Sequence, residues 1–297
     1  MRIEKWIENN THSLSSKTVA LTGATGGIGN ALLKRLVSLD AKIILLDRNK
    51  ERSEKLKSKY PSAKIECITL DLTDVAQVKS VTEILKEREL DVIIHNAGAY
   101  KIPVFKCATG YINVFQINFL SPFYMIKELL PSLKSRGGRV VVVGSIAHNY
   151  SKTDGRDVDF STRSKSSLIY GNAKRYLMFS LHSLFKGETD AHLAVAHPGI
   201  TFTNITSHYP KWLFALIKNP MKIIFMKPER ASLSIIKGIF EDTEYNTWIG
   251  PSLFNVWGYP RKQRLKSATD EEIEMISKSA QIAYEKMKNP EGLHIQA

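Results

Sequence analysis

Cysteine is nearly missing from this 297-residue chain: Cys67 and Cys107 are the only two, and neither lies in a metal or redox spacing. That excludes a disulfide framework and fits two reduced, buried thiols in a protein of cytosolic type. Long apolar runs are missing as well. The longest candidates, VVVVG and WLFALI, are far short of the ~18 residues that a spanning helix needs. The opening stretch MRIEKWIENNTHSLSSK carries acids among its apolar residues and has no h-region, so it does not read as a signal peptide and a cytoplasmic location is expected. Internal repeats, low-complexity linkers and composition shifts are absent too. One domain is therefore expected over residues 17–297, behind an N-terminal extension, 1–16.

Acids are in short supply: 29 Asp and Glu face 42 Lys and Arg, a net charge of +13. The surplus invites an anionic partner, whether nucleic acid, membrane surface or phosphorylated cofactor. The basic residues are scattered rather than laid in one aromatic-interleaved stripe, so nucleic acid is not expected. Much of the charge, such as NKERSEKLKSK, reads as a solvated helix face. A hydrophobic fraction of 43% is ordinary for a chain that buries a full core.

What is present is an alternation. KTVALT, AKIILLD, AKIECITLD, LDVIIHNAG, GRVVVVGS and AHLAVAHPG are short β-branched runs, separated by helical patterns such as NALLKRLVS, DVAQVKSVTEILKER and FQINFLSPFYMIKELLPSLKS. Apolar strands with helices between them predict an α/β fold, a doubly wound Rossmann-type parallel sheet covered on both faces.

TGATGGIG, Thr22 to Gly29, joins the first strand to a helix. Gly23 and Gly27 permit a tight turn and close backbone approach, and Gly29 lets the helix pack closely, so the helix N-terminus faces a pyrophosphate. The cradle residues expected on a dinucleotide are Thr22, Gly23, Thr25, Gly27, Ile28 and Gly29. Asp47 ends the next strand, where a carboxylate accepts hydrogen bonds from an adenosine ribose and repels a 2′-phosphate. Arg48 acts in the opposite sense, since a guanidinium there can contact that phosphate or stack on adenine. NAD is expected, with NADP left open as the alternative.

Tyr-x-x-x-Lys occurs three times, at Tyr60/Lys64, Tyr170/Lys174 and Tyr284/Lys288. Spacing alone does not choose among them. Context does, because LDL (Leu70 to Leu72), NAG (Asn96 to Gly98), Ser145 and PG (Pro198, Gly199) follow the third, fourth, fifth and sixth strands. With TGATGGIG and YGNAK in this order, the chain resembles the short-chain dehydrogenase/reductase family over about residues 17–205. Tyr60 precedes Pro61 and belongs to a turn, and Tyr284 lies on a terminal amphipathic helix. Tyr170 is the chemical one.

A free phenol is a poor base at neutral pH. Lys174, one turn on, is expected to favour the phenolate and tune Tyr170 as general acid/base. Ser145 is expected to donate a hydrogen bond to the substrate oxygen. The resemblance further implies that Lys174 hydrogen-bonds the nicotinamide ribose and that Asn118 kinks its helix and holds a relay water. It puts Asp71 on the adenine amine with Leu72 beside it, Asn96, Ala97 and Gly98 along the adenine ribose, and Ile200 and Thr203 on the carboxamide, just past Pro198 and Gly199.

Ser145 and Tyr170 are 25 apart, longer than is usual in the family. VVGSIAH, VDF, AHPGITFT and TDEEIEMISKSAQIAYE resemble its retinol-dehydrogenase-like branch, which implies a lipophilic alcohol or carbonyl as substrate. His95, His148 and His197 have no metal-ligand spacing; they read as packing residues, and no metal is expected. Residues 207–227 are expected to form a lid over the cleft. Its stretch KWLFALIKNPMKIIFMK holds four lysines and no acid, which suits a greasy pocket or a peripheral contact with anionic lipid. A homodimer is an admissible assembly. The rival functions are a non-catalytic dinucleotide-binding redox sensor and a basic membrane-surface binding protein.

Overall fold

The six apolar runs become six strands: β1 (Thr18–Thr22), β2 (Lys42–Asp47), β3 (Ile65–Thr69), β4 (Val92–His95), β5 (Arg139–Val143) and β6 (His192–Ala196). The computed structural model describes residues 2–200, 226–265 and 268–289. Two further strands, β7 (Thr247–Leu253) and β8 (Trp257–Arg264), complete an eight-stranded sheet of order β3-β2-β1-β4-β5-β6-β7-β8. β1 to β7 pair in parallel, and β8 folds back antiparallel on β7 as the edge. The fold is the expected doubly wound α/β sheet.

The central strands β1, β2, β4, β5 and β6 are apolar on both sides because helices cover both faces. One face carries α1 (Ile3–Asn10), α2 (Gly27–Ser38), α3 (Lys50–Lys57) and α8 (Pro228–Phe240), which bury Trp6, Leu32, Leu33, Leu36, Leu56 and Ile236 against it. The other carries α4 (Val75–Lys86), α5 (Asn113–Phe115), α6 (Ser121–Lys134), α7 (Ser166–Leu184) and α9 (Asp270–Lys288). Within the N-terminal segment expected as an extension, Trp6 of α1 is buried and stacks on Tyr259 of β8, centroids 6.3 Å apart.

Two features place the site. Strand order reverses between β1 and β4, and all the parallel strands end on the same side, which opens a crevice there. Between α5 and α6 the helix is a π-segment, Gln116–Leu120. Such wide turns concentrate at functional sites, and this one contains Asn118. No described helix is long and apolar enough to cross a membrane.

Candidate active site

The turn after β1 is built around close backbone approaches. Gly23 has φ +72°, and a Cβ on it would fall 2.9 Å from the Cα of Ala97. A Cβ on Gly29 would lie 2.0 Å from the carbonyl oxygen of Gly23. The need for glycine at 29 therefore comes from the turn itself rather than from the sheet. Gly26 caps α2 without a side-chain acceptor, so the first N–H groups of the helix, from Gly27 and Ile28 on, keep their capacity for an anion. Asn96 braces the turn, its amide donating to the carbonyls of Thr22 and Gly23 at 3.1 Å each. The Ala97 N–H donates to the Thr22 hydroxyl at 3.0 Å.

Asp47, at the end of β2, is buried. Its Oδ1 accepts from the Thr25 N–H at 3.2 Å and from the Thr25 hydroxyl at 2.9 Å, whereas Oδ2 is buried with no hydrogen-bond partner. A buried carboxylate oxygen left this way costs free energy until a donor arrives. Arg48, the next residue, is exposed. Asp71, half-buried, accepts at Oδ1 from the N–H and hydroxyl of Thr73 at 2.9 and 2.8 Å, and Leu72 is buried beside it.

Ser145, Tyr170, Lys174 and Asn118 converge where β4 and β5 end. Ser145 caps a 3-10 turn, Ile146–Asn149, its hydroxyl accepting from the Ala147 N–H at 3.2 Å. Tyr170 and Lys174 share a face of α7, with the Lys174 Nζ 5.8 Å from the Tyr170 ring centroid. Burial pushes the Tyr170 phenol up to about 12, and the neighbouring Ser145 hydroxyl offsets part of that rise. Lys174 is buried, donates to the Val143 carbonyl at 2.9 Å, and is held down to about 8 by desolvation.

The expected tuning of Tyr170 by Lys174 is thus outweighed in this geometry. The ammonium lies against the ring and a carbonyl, and desolvation dominates both groups. Asn118 is fully buried, donating from Nδ2 to the carbonyls of Ala99 and Val114 at 2.8 Å and accepting from the Ala99 N–H at 3.2 Å. Gly98 fits between these groups, since a Cβ there would lie 2.9 Å from Asn118 Oδ1 and 3.6 Å from Lys174 Nζ.

The other two Tyr-x-x-x-Lys pairs stand apart. Tyr60 sits in the turn between α3 and β3. The Tyr284 hydroxyl donates to Glu128 on α6, and Lys127 and Lys288 flank its ring at 4.1 and 5.8 Å. Pro198, Gly199 and Ile200 follow β6, and the Ile200 carbonyl accepts from Met226 N–H at 2.8 Å. Thr203 and residues 207–225 of the expected lid lie outside the described residues.

Of the histidines, His197 stacks on Trp248 at 4.8 Å, and His148 Nδ1 meets the Ser145 carbonyl at 2.6 Å. His95 is buried with neither ring nitrogen partnered, and burial with the nearby Lys174 charge pulls it to about 3. Both cysteines are free and half-buried rather than fully buried.

Sequence reasoning missed two sets of neighbours. Tyr100 packs edge-on against Tyr170, centroids 5.3 Å apart, and Tyr150 adds to the repulsion of a phenolate there. Arg175, beside Lys174, pairs with Glu272 of α9. Aromatic residues in loops carry no periodicity, and a helical Arg reads as surface, so neither set announced itself.

Known proteins share the sequence pattern and the fold. The sequence pattern of short chain dehydrogenases matches residues 17–155. Short-chain dehydrogenase TIC 32 A, chloroplastic, of Brassica napus is 29% identical over 68% of this chain and 69% of its own. Retinol dehydrogenase 14 of Homo sapiens is 31% identical over 66% and 65%. A solved structure from Mycobacterium paratuberculosis shares the fold at a TM-score of 0.72 and 22% identity, covering 94% of this chain and 96% of that one. The chain belongs to the short-chain dehydrogenase/reductase family, is most like its retinol-dehydrogenase-like branch, and is an NAD(P)-dependent oxidoreductase.

Proposed function

We propose that the protein interconverts an alcohol and a ketone or aldehyde, with Tyr170 exchanging the proton at the substrate oxygen. The observation that carries this reading is the convergence of Ser145, Tyr170, Lys174 and Asn118 at one crevice from three separate segments. A dinucleotide sensor has no need of a phenol, an ammonium and a hydroxyl gathered at one point.

The residues present fit the cofactor. Gly23 and Gly29 leave room for close backbone approach, the uncapped start of α2 suits a pyrophosphate, and the orphaned Asp47 Oδ2 suits a ribose hydroxyl. NAD(P) supplies or accepts the hydride when bound. In the reducing direction, Tyr170 gives its proton to the oxygen as charge develops there, and Ser145 steadies that oxygen with a hydrogen bond. The Lys174 ammonium then stabilises the phenolate that remains. Asn118, with its amide fixed by the Ala99 and Val114 backbone, holds the β4 end at Gly98 against Lys174.

A lipophilic substrate is part of the proposal. Tyr100 and Tyr150 flank Tyr170, and the loop that carries Tyr100 also exposes Val104 and Phe105. A peripheral contact with anionic lipid is also proposed, from Lys211, Lys218, Lys222 and Lys227 among apolar residues of the sequence. Turnover of a panel of soluble and lipophilic carbonyls with NADH and NADPH, followed by absorbance, tests the central reading. Failure of every carbonyl and alcohol with both cofactors would return the chain to the sensor class.

A further inference from the structure

The stretch between Ser145 and Tyr170 is longer than the family pattern leads one to expect, and the structure shows what its first part is fastened to. Glu272 lies in the first turn of α9, its N–H donating to the side chain of the N-cap Thr269. Its Oε1 accepts from the Arg175 Nε at 2.7 Å, from the Thr153 N–H at 3.0 Å and from the Thr153 hydroxyl at 2.9 Å. Its Oε2 accepts from the Arg175 Nη2 at 2.6 Å. Both side chains of the pair are about nine-tenths buried, at 7% and 10% exposure.

Arg175 spends its remaining reach on the same stretch, with Nη1 donating to the His148 carbonyl at 3.1 Å. His148 Nδ1 in turn meets the Ser145 carbonyl at 2.6 Å. One carboxylate therefore ties down Thr153 directly and His148 through Arg175, and His148 holds the backbone of Ser145. Bidentate guanidinium–carboxylate pairing fixes direction as well as distance. Arg175 directly follows Lys174, so the same clamp holds the turn of α7 that carries Lys174, one turn on from Tyr170.

We propose that Glu272 is a positioning residue, through which the C-terminal helix sets the register of Ser145 against Tyr170. This rests on the reading of Tyr170 and Ser145 given above. A purely structural ion pair would serve anywhere on α7; this one acts on the His148 carbonyl and, through the His148 ring, on the carbonyl of Ser145 itself. Ser145 Oγ is not itself touched, so the effect is on where the hydroxyl stands.

Two variants test it: Glu272→Gln, and the double change Arg175→Met with Glu272→Gln, which leaves no unpaired buried charge and keeps the protein folded if the single variant does not. The deciding readout is the ring Cζ resonance of Tyr170 in protein carrying carbon-13-labelled tyrosine, assigned by its loss in Tyr170→Phe. It should move as it does in Ser145→Ala. With p-nitrobenzaldehyde and NADH, kcat should fall about 10- to 100-fold, the scale of an ångström's misplacement, with the KM for NADH held within about twofold. A folded double variant whose Tyr170 resonance stays at the wild-type position overturns the proposal, whatever the turnover. If the resonance moves but Tyr170→Phe still turns over aldehyde, the positioning stands and the role given to Tyr170 fails.

Discussion

Lys174 holds its ammonium 5.8 Å from the centre of the Tyr170 ring and gives a hydrogen bond to the Val143 carbonyl at 2.9 Å. The two groups are one helical turn apart, yet each is governed by its own burial. Tyr170 is pushed up to about 12 and Lys174 is brought down to about 8. At neutral pH the phenol is therefore protonated and the ammonium charged, which is the state that donates a proton to a carbonyl.

The sign of the pH dependence follows. Reduction needs the phenol and the ammonium together, so its rate should be flat at acid and neutral pH and fall as pH rises through about 8, where Lys174 loses its charge. Oxidation needs the phenolate, so its rate should climb with pH and level near 8, where the gain in phenolate is matched by the loss of ammonium. Initial rates in both directions across one buffer series give the answer. Reduction that stays flat well above 8 would show that Lys174 is charged throughout and that its burial does not govern it.

The three Tyr-x-x-x-Lys pairs make an internal control. Tyr170→Phe keeps the ring that packs on Tyr100 and removes the proton donor, so turnover should drop at least ~100-fold while NADH binding changes little. Tyr60→Phe should leave turnover intact. Tyr284→Phe loses the hydrogen bond to Glu128, so it should cost stability of about 1 kcal/mol and little activity. Equal losses of turnover at all three positions would refute the assignment.

The glycine turn, Asp47 and the tyrosine pair were legible in the sequence because each is a local constraint at a strand end or on one helix face. β7 and β8 were not. Their seven- and eight-residue stretches contain Pro251 and Pro260, Gly250 and Gly258, and a run of basic residues from Arg261, all of which mask a strand pattern. That hairpin is formed by pairing at the sheet edge rather than by propensity. The burial of Lys174 was equally hidden, since it depends on Gly98, just after β4, and Val143, at the end of β5, meeting it on α7. Arg175 and Glu272 are 97 residues apart, and neither has a helical neighbour that would mark the partnership.

The charge bias between Lys211 and Lys227 carries its own test. Each lysine near anionic lipid adds about 1 kcal/mol, and salt weakens it. The protein should sediment with phosphatidylserine vesicles at low ionic strength and come off at high salt. Changing Lys211, Lys218, Lys222 and Lys227 to Gln should abolish sedimentation and spare turnover of a soluble aldehyde. Indifference of the wild-type protein to vesicles at low salt removes the lipid contact from the proposal.

Cofactor preference turns on which of two adjacent residues prevails. The buried Asp47 Oδ2 has no partner, and a ribose hydroxyl would supply one, whereas a 2′-phosphate would set two anions together. NADH should therefore bind more tightly than NADPH. Asp47→Ala should narrow or reverse the gap, but it also frees Thr25, which donates twice to Oδ1. Thr25→Val separates the effects: it removes one of those bonds, should weaken both cofactors alike, and should leave their ratio unchanged. Arg48 is exposed beside this carboxylate and competes for the phosphate. If wild-type protein binds NADPH tenfold tighter, about 1.4 kcal/mol, and Arg48→Ala erases that margin, the guanidinium has overridden the carboxylate and the NAD assignment is wrong.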